Sequence, residues 1–168
     1  MERHMSRSTS VTSQTIAVEH IRISSVRPFA EVRRKLEATL PKLDTSIGEA
    51  LRSGDQKRAK DYEDNGPKLS IFEVRDHGAL LQIAGGSRNA LQYEIGNQLT
   101  ASKMTRHQLP AALYAPLRVV LFEDEHGRGV FEYDKPSSFF GQYGDERVTG
   151  VGRYLDATLE AVLCDATE

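Results

Sequence analysis

Two charged residues stand on predicted strands that are otherwise largely apolar, and they are the first candidates for chemistry. In the segment Ala90–Ile95 the odd-numbered positions form an apolar face, which leaves Glu94 on the other face. In the segment Leu117–Glu123, Arg118 interrupts a run that is apolar on both faces. A buried charge must be paired or must face a cavity, so we predict that Glu94 is the partner of Arg118. The pair could be a buried structural ion pair or could face a ligand.

Two further polar residues flank a predicted short helix. Asn97 follows the strand directly and is a good N-cap for a helix that runs to about His107. Of the five histidines, His20 and His107 are the two that could reach an interior, where a structural role competes with that of a base or a metal ligand. The ligand-binding candidates are therefore Glu94, Asn97, His107 and Arg118.

Known catalytic and cofactor motifs do not occur in the chain. Gly150-Val-Gly152 begins like a dinucleotide-binding fingerprint, but it lacks the third glycine and lies inside a predicted helix. Its glycines are better interpreted as allowing close contact between helix and sheet. The single cysteine, Cys164, excludes an intrachain disulfide and a multi-cysteine metal site. We therefore expect neither a metal nor a cofactor.

Composition limits the class of protein. The chain has 168 residues, of which 39% are hydrophobic, and a net charge of −2, as expected for one domain with its own core and not for a basic nucleic-acid binder. Its apolar runs fall short of the roughly 18–20 residues that a membrane helix needs. The N-terminus lacks the hydrophobic stretch of a secretory signal. We expect a cytoplasmic protein with no nucleic-acid and no membrane partner.

The elements that must position these residues follow from periodicity and turn chemistry. Residues 1–14 are polar and predict a disordered tail, residues 15–164 a single α+β domain, and residues 165–168 a C-terminal tail. Within the domain, residues 54–68 are charged and predict a mobile loop. Strands are predicted at Thr15–Val26, Leu69–Val74, Ala79–Ala84, Ala90–Ile95, Leu117–Glu123 and Gly129–Asp134.

Helices are predicted between these strands and after the last one. The first opens at Pro28 and ends before Pro41, a second covers about residues 46–51, and the longest runs from about Asp145 to Leu163. Strands joined as hairpins and separated by helices favour an α+β fold. We predict an antiparallel-rich sheet of about six strands with helices packed on one face.

Two segments of the chain, YEIGNQLTASKM (Tyr93–Met104) and LYAPLRVVLFEDEHGRGVFEYDKP (Leu113–Pro136), resemble the bacterial domain-of-unknown-function family 302. The shared features are a strand that ends on Gly-Asn, a short helix, a proline before an Arg-Val-Val strand, and an acidic hairpin tip. The resemblance implies an α+β fold similar to the TATA-binding-protein-like arrangement, and it implies no activity. Gln98 replaces the usual proline and Leu117 a frequent cysteine, so thiol- or metal-based chemistry does not transfer.

Together these observations favour a non-enzymatic module that binds a small ligand or has a regulatory role. We expect a homodimer. Residues 27–60 carry a net charge of +4 and residues 121–134 a net charge of −4, which could complement each other between subunits or could belong to ordinary solvated helix faces and turns. The alternative is an enzyme of undetermined reaction with Tyr93, Glu94 and His107 as acid/base groups. An open cleft with His107 about 3 Å from a carboxylate would favour the enzyme.

Overall fold

The computed structural model describes residues 9–168. Of the predicted disordered tail, residues 1–8 lie outside the described residues, and residues 9–14 form neither helix nor strand. The strands in the described range are β1 (His20–Pro28), β2 (Ser70–Asp76), β3 (Ala90–Gly96), β4 (Leu117–Glu123) and β5 (Arg128–Asp134). The α-helices are α1 (Phe29–Thr39), α2 (Thr45–Ser53), α3 (Gln56–Asn65), α4 (His77–Leu80), α5 (Gln98–Thr105), α6 (Pro136–Phe140) and α7 (Glu146–Thr167).

The five strands form one antiparallel sheet in the order β1-β5-β4-β3-β2. The predicted α+β fold is confirmed, and β4 occupies the centre of the sheet, as its apolar sequence predicts. The core lies between one sheet face and the helices, chiefly α1 and α7. The largest fully buried side chains on that sheet face are Tyr93, Ile95, Leu121 and Phe131.

The sixth predicted strand, Ala79–Ala84, is helical instead. The Asp76 side chain accepts a hydrogen bond of 2.9 Å from the Ala79 backbone amide, which starts α4, and a 3₁₀ turn follows over Leu81–Ala84. Gly78 lies so close to the next strand that a methyl group there would overlap the carbonyl oxygen of Arg88. The Asp-His-Gly sequence therefore caps a helix, and the prediction of a hairpin turn here is wrong.

The prediction of a mobile loop at residues 54–68 is also wrong, because most of this segment forms the helix α3. Asp55 caps this helix by accepting a 2.9 Å hydrogen bond from the Arg58 amide, and Lys60 pairs with Asp64 one turn along. Tyr62, only 6% exposed, is its buried apolar anchor. One such anchor in an otherwise polar helix is too weak a periodicity to recognise in the sequence.

The ends of the domain also differ from prediction. β1 begins at His20, five residues after the predicted start. At the other end α7 continues to Thr167, so the predicted tail 165–168 is largely helical. Ala166 is fully buried, and the carbonyl oxygen of Thr167 accepts a 2.8 Å hydrogen bond from the Ser25 hydroxyl. The last turn of α7 is thus held against β1.

The two glycines of the longest helix, α7, have different surroundings. A methyl group on Gly152 would lie 3.0 Å from the Ser137 Cα atom, so this glycine lets α6 approach, which corrects the predicted helix–sheet contact. Gly150 faces open space. None of the helices within residues 9–168 combines the length and the hydropathy needed to span a lipid bilayer.

Candidate functional site

A cavity of about 350 Å³ lies between α2 and α5, at the end of the sheet where β3 stops and β4 begins. Pro116, which follows a cis peptide bond, forms part of its wall. The apolar side chains that line it come from both helices, the sheet and the C-terminal part of the chain. They include Leu51, Phe72, Met104, Leu117, Phe140 and Leu155.

Two polar side chains converge on one side of this cavity, over the backbone of Gly48. A methyl group on Gly48 would lie 2.8 Å from Gln98 Oε1, 3.2 Å from Gln98 Nε2 and 3.4 Å from Arg52 Nη1. Gly48 and Arg52 are four residues apart on α2, which puts them on the same helix face. The missing side chain of Gly48 therefore leaves room for the amide of Gln98, the first residue of α5, and for the Arg52 guanidinium.

Neither the Gln98 side-chain oxygen nor the Arg52 guanidinium has a partner among residues 9–168. Gln98 Oε1 is fully buried and accepts no hydrogen bond, although a buried carbonyl oxygen without a donor costs about 1–3 kcal/mol. Within residues 9–168, no carboxylate oxygen lies within 4 Å of the Arg52 guanidinium. Gln98 Oε1 is thus a buried acceptor without a donor, and the Arg52 guanidinium is a charge on the cavity wall without a paired acid among the described residues.

Two hydroxyl groups of the wall are engaged within the chain. The Ser102 hydroxyl donates to the Leu99 carbonyl oxygen at 2.7 Å, and the Thr105 hydroxyl donates to the Ala101 carbonyl oxygen at 3.2 Å. These bonds hold both hydroxyl protons along α5. The Thr100 hydroxyl, on the same wall, has no such bond within the described residues, so Arg52, Gln98 and Thr100 are the polar side chains left for a ligand.

Asn97, a predicted ligand-binding residue, does line the cavity, but its side chain is used to build the wall. Its Oδ1 accepts a 3.0 Å hydrogen bond from the Thr100 amide, as the predicted N-cap should. Its Nδ2 donates to the carbonyl oxygens of Pro67 and Lys68 at 3.0 and 3.3 Å. Asn97 thus fixes the start of α5 and ties it to the segment before β2.

Glu94 and Arg118 lie on the sheet face that points away from the cavity. They are directly opposite each other in the register of β3 and β4. The prediction that Arg118 is buried is wrong, since its side chain is exposed. The helices cover only the face formed by the odd-numbered residues of these strands, so Arg118, Val120 and Phe122 share the more open face.

The predicted acid/base groups are not brought together. Tyr93 points into the core, where its hydroxyl donates to Glu37 Oε1 at 2.9 Å. Burial, together with this bond, raises the pKa of Tyr93 far above its usual value. Glu94 is on the opposite face of the same strand, and His107, beyond the end of α5, does not line the cavity.

A second cavity, of about 440 Å³, lies beside the first, and Asn97 and Thr100 contribute to the walls of both. The ion pair between Glu63 of α3 and Lys103 of α5 is on its wall. Tyr62 also lines it, and the buried Tyr62 hydroxyl makes no hydrogen bond. In the described part of the chain, no three His, Cys, Asp or Glu side chains group as metal ligands would.

The sequence reasoning missed Gly48, Arg52 and Gln98. A weak signal for them exists: a glycine inside a short helix lowers helix stability and often marks a close approach. Gln98 stands out in the sequence only as a departure from the family pattern. Arg52 lies 46 positions from Gln98 in the chain, and no local pattern connects the two.

Comparison with known proteins identifies a family and solved structures of similar fold. The model of the family described as "Domain of unknown function DUF302" matches residues 64–165. The fold is similar to the crystal structure of a conserved DUF302 protein from Bacillus stearothermophilus, with a TM-score of 0.64 and 15% sequence identity over 88% of this chain and 97% of that one. No curated protein matches the sequence.

Proposed function

The chain belongs to the DUF302 family, and we propose that it is a non-enzymatic module that binds a small molecule in the cavity between α2 and α5. The observation that carries the proposal is the lining of this cavity, whose walls are mostly apolar and hold the polar side chains of Arg52, Gln98 and Thr100. Small-molecule sites have this composition, with apolar walls and a few convergent polar groups. A ligand that donates to Gln98 Oε1 would remove the free-energy cost of the unpaired oxygen.

The chemistry of the cavity wall favours binding over catalysis. Among the described residues, Arg52 is the one side chain on this wall that ionises. A general acid or base works best with a pKa near the working pH, and a guanidinium stays protonated far above it. The groups that could move protons, Tyr93, Glu94 and His107, lie elsewhere.

Native mass spectrometry of the protein purified from its own host tests this proposal. We expect the wild-type protein to carry the added mass of a small molecule. The variant Ala101→Leu, which places a larger side chain in the cavity, should lose that mass. Ala157→Leu, on the exposed side of α7, is the matched control and should keep it.

Two results would overturn the proposal: a wild-type protein without a ligand, or a ligand that Ala101→Leu retains.

The same spectra report the oligomeric state. A homodimer also remains our proposal, supported by the opposite net charges of residues 27–60 and 121–134. A purely monomeric mass would contradict it.

A further inference from the structure

We propose that two copies of the chain pair through the edge strand β2, antiparallel and centred on Val74, so that their two sheets become one continuous sheet. This inference rests on the homodimer proposed above and takes its contact surface from the edge of the sheet. Its basis is the sequence of β2, in which Glu73 and Arg75 flank Val74, an apolar residue that is 40% exposed. Antiparallel pairing about Val74 places Glu73 opposite the partner's Arg75 on both sides of a two-fold axis. The strand is thus complementary in charge to a second copy of itself, as a two-fold interface requires.

The outer edge of β2 is free where this pairing needs it. β2 is the last strand of the sheet, and β3 pairs with its inner edge. On the outer edge, the backbone of Ile71 bonds to Pro41 and Leu43 at 2.8 and 2.9 Å. Within residues 9–168, no segment other than β3 bonds to the backbone of residues 73–75. The part of the edge around Val74 can therefore accept another strand.

The backbone groups of Val74 point outward, toward such a strand. Ile71 and Val74 lie opposite Ile95 and Tyr93, which are two residues apart on β3. Positions two apart on a strand direct their backbone groups to the same side. Because the backbone of Ile71 bonds on the outer edge, that of Val74 points there too. The Val74 residues of two copies can therefore exchange both backbone hydrogen bonds across the two-fold axis.

The charges on β2 lack one cation within a single copy. Glu73 lies directly opposite Glu94 in the register of β2 and β3, and like charges in that arrangement repel. Arg75 serves both acids, at 2.6 Å from Glu73 and 2.7 Å from Glu94. In the pairing about Val74, the partner's Arg75 brings a second guanidinium to Glu73. Each of the two acids then has a cation of its own.

The other edge strand, β1, suits a second copy less well. Its ionisable side chains, His20, Arg22 and Arg27, are all basic, so two copies would bring like charges together. Charged side chains of this kind protect an edge strand from pairing. The hydrogen bond from Ser25 to Thr167 also holds the last turn of α7 against this strand. The sequence and surroundings of the two edges therefore favour β2.

The test reverses one charge at a time and then mixes the variants. Arg75→Glu places an acid opposite the partner's Glu73, and Glu73→Arg places an arginine opposite the partner's Arg75. In sedimentation equilibrium we expect a dimer for the wild-type protein and a dimer dissociation constant at least about tenfold higher for each variant alone. An equimolar mixture of the two variants should dimerise again, because an acidic edge then meets a basic one. Damage to the fold within each chain cannot produce this rescue.

Arg22→Glu is the matched control. Arg22 is likewise an exposed arginine on an edge strand, and it forms an ion pair with an acid of its own sheet, Glu132. Reversal of its charge should leave the dimer intact. All three substitutions change exposed side chains, so the circular dichroism spectra of the variants should match that of the wild-type protein.

The outcomes separate the pairing from the homodimer and from the ligand. A wild-type protein that is monomeric overturns the homodimer and the pairing together, and it leaves the ligand to its own test. A dimer that either variant of β2 keeps, or that Arg22→Glu dissociates, overturns the pairing but supports a homodimer with another contact surface. Two monomeric variants whose mixture stays monomeric overturn the pairing as well, because their charges would then not meet across the interface.

Discussion

Glu94 stands directly opposite Arg118 across β3 and β4, yet its carboxylate bonds to a different arginine. Glu94 Oε1 accepts a 2.7 Å hydrogen bond from Nη1 of Arg75, which lies on the edge strand β2. Arg75 also pairs with Glu73 at 2.6 Å, so two acids share one guanidinium. Within residues 9–168 Arg118 has no carboxylate oxygen within 4 Å. The open sheet face therefore carries an exposed charge network in which Arg118 takes no direct part.

This arrangement predicts that Arg118 contributes little to stability. Arg118→Met should change the free energy of unfolding by less than about 0.5 kcal/mol, as for other exposed side chains. Glu94→Gln should cost at most about 1 kcal/mol, because it loses a partly exposed ion pair with Arg75. Urea unfolding of both variants measures these values. A loss of about 3–5 kcal/mol for Arg118→Met would instead reveal a buried ion pair and contradict the exposed position.

Tyr62 and Tyr93 offer a matched pair of substitutions. The Tyr62 hydroxyl is buried without a partner, so Tyr62→Phe should stabilise the protein by about 1 kcal/mol. The Tyr93 hydroxyl donates to Glu37 at 2.9 Å, and Tyr93→Phe should therefore destabilise it by about the same amount. Chemical unfolding at neutral pH distinguishes the two signs. A loss of stability in Tyr62→Phe would contradict a buried hydroxyl without a partner.

Asp145 should give the protein an acid-sensitive contribution to its stability. Hydrogen bonds from the Arg147 guanidinium at 2.8 Å and from the Arg147 backbone amide at 3.0 Å hold the pKa of Asp145 well below its usual value. A lowered pKa in the folded state stabilises the protein above the unfolded-state pKa of about 3.9, and this stabilisation is lost as the pH falls below that value.

The variant Asp145→Asn isolates this effect. Its melting temperature should be lower than that of the wild-type protein at neutral pH, and the gap should narrow as the pH falls below about 4. Thermal unfolding followed by circular dichroism over this range is the measurement. A gap that stays constant with pH would show that the charge of Asp145 contributes nothing.

Gly78 and Gly150 are expected to respond to alanine in opposite directions. Gly78→Ala pushes a methyl group against the Arg88 carbonyl oxygen and should cost about 1–3 kcal/mol, as other overpacked sites do. Gly150 lies within α7 with nothing near its missing side chain, so Gly150→Ala should stabilise the protein by about 0.5–1 kcal/mol. The unfolding midpoints of the two variants measure both effects. A gain of stability in both variants would mean that helix propensity and not contact with Arg88 governs Gly78.

The strands of the sheet could be predicted from sequence because their signal is local. The sequences of β3, β4 and β5 either alternate between apolar and polar residues or are largely apolar over seven residues. Their predicted bounds agree with the structure to within one residue. Which face of the sheet is covered is not a local property. Arg118 shares its face with Val120 and Phe122, and the sequence shows them as core neighbours although that face is the more open one.

The candidate site could not be predicted from the sequence, for a different reason. Asn97 could be found because a cap next to a strand end is a pattern of adjacent residues. Arg52 and Gln98 line the same cavity because α2 packs near α5, with Gly48 between them, and that packing depends on the whole fold. A prediction from charge and polarity alone therefore chose Glu94 and Arg118, which lie on the other face of the sheet, and not Arg52 and Gln98.

The position of β1 also determines when the sheet can be completed during synthesis. His20 pairs with Asp134, 114 residues later in the chain, while β2, β3 and β4 pair with strands nearby in sequence. As the chain leaves the ribosome, β1 must wait, with its backbone groups unpaired, until β5 has emerged. Contacts this distant slow folding, because a long loop must close before they form. A chain that stalls before residue 128 would expose the edge of β4 as well as β1, and both edges could then pair with neighbouring chains and aggregate.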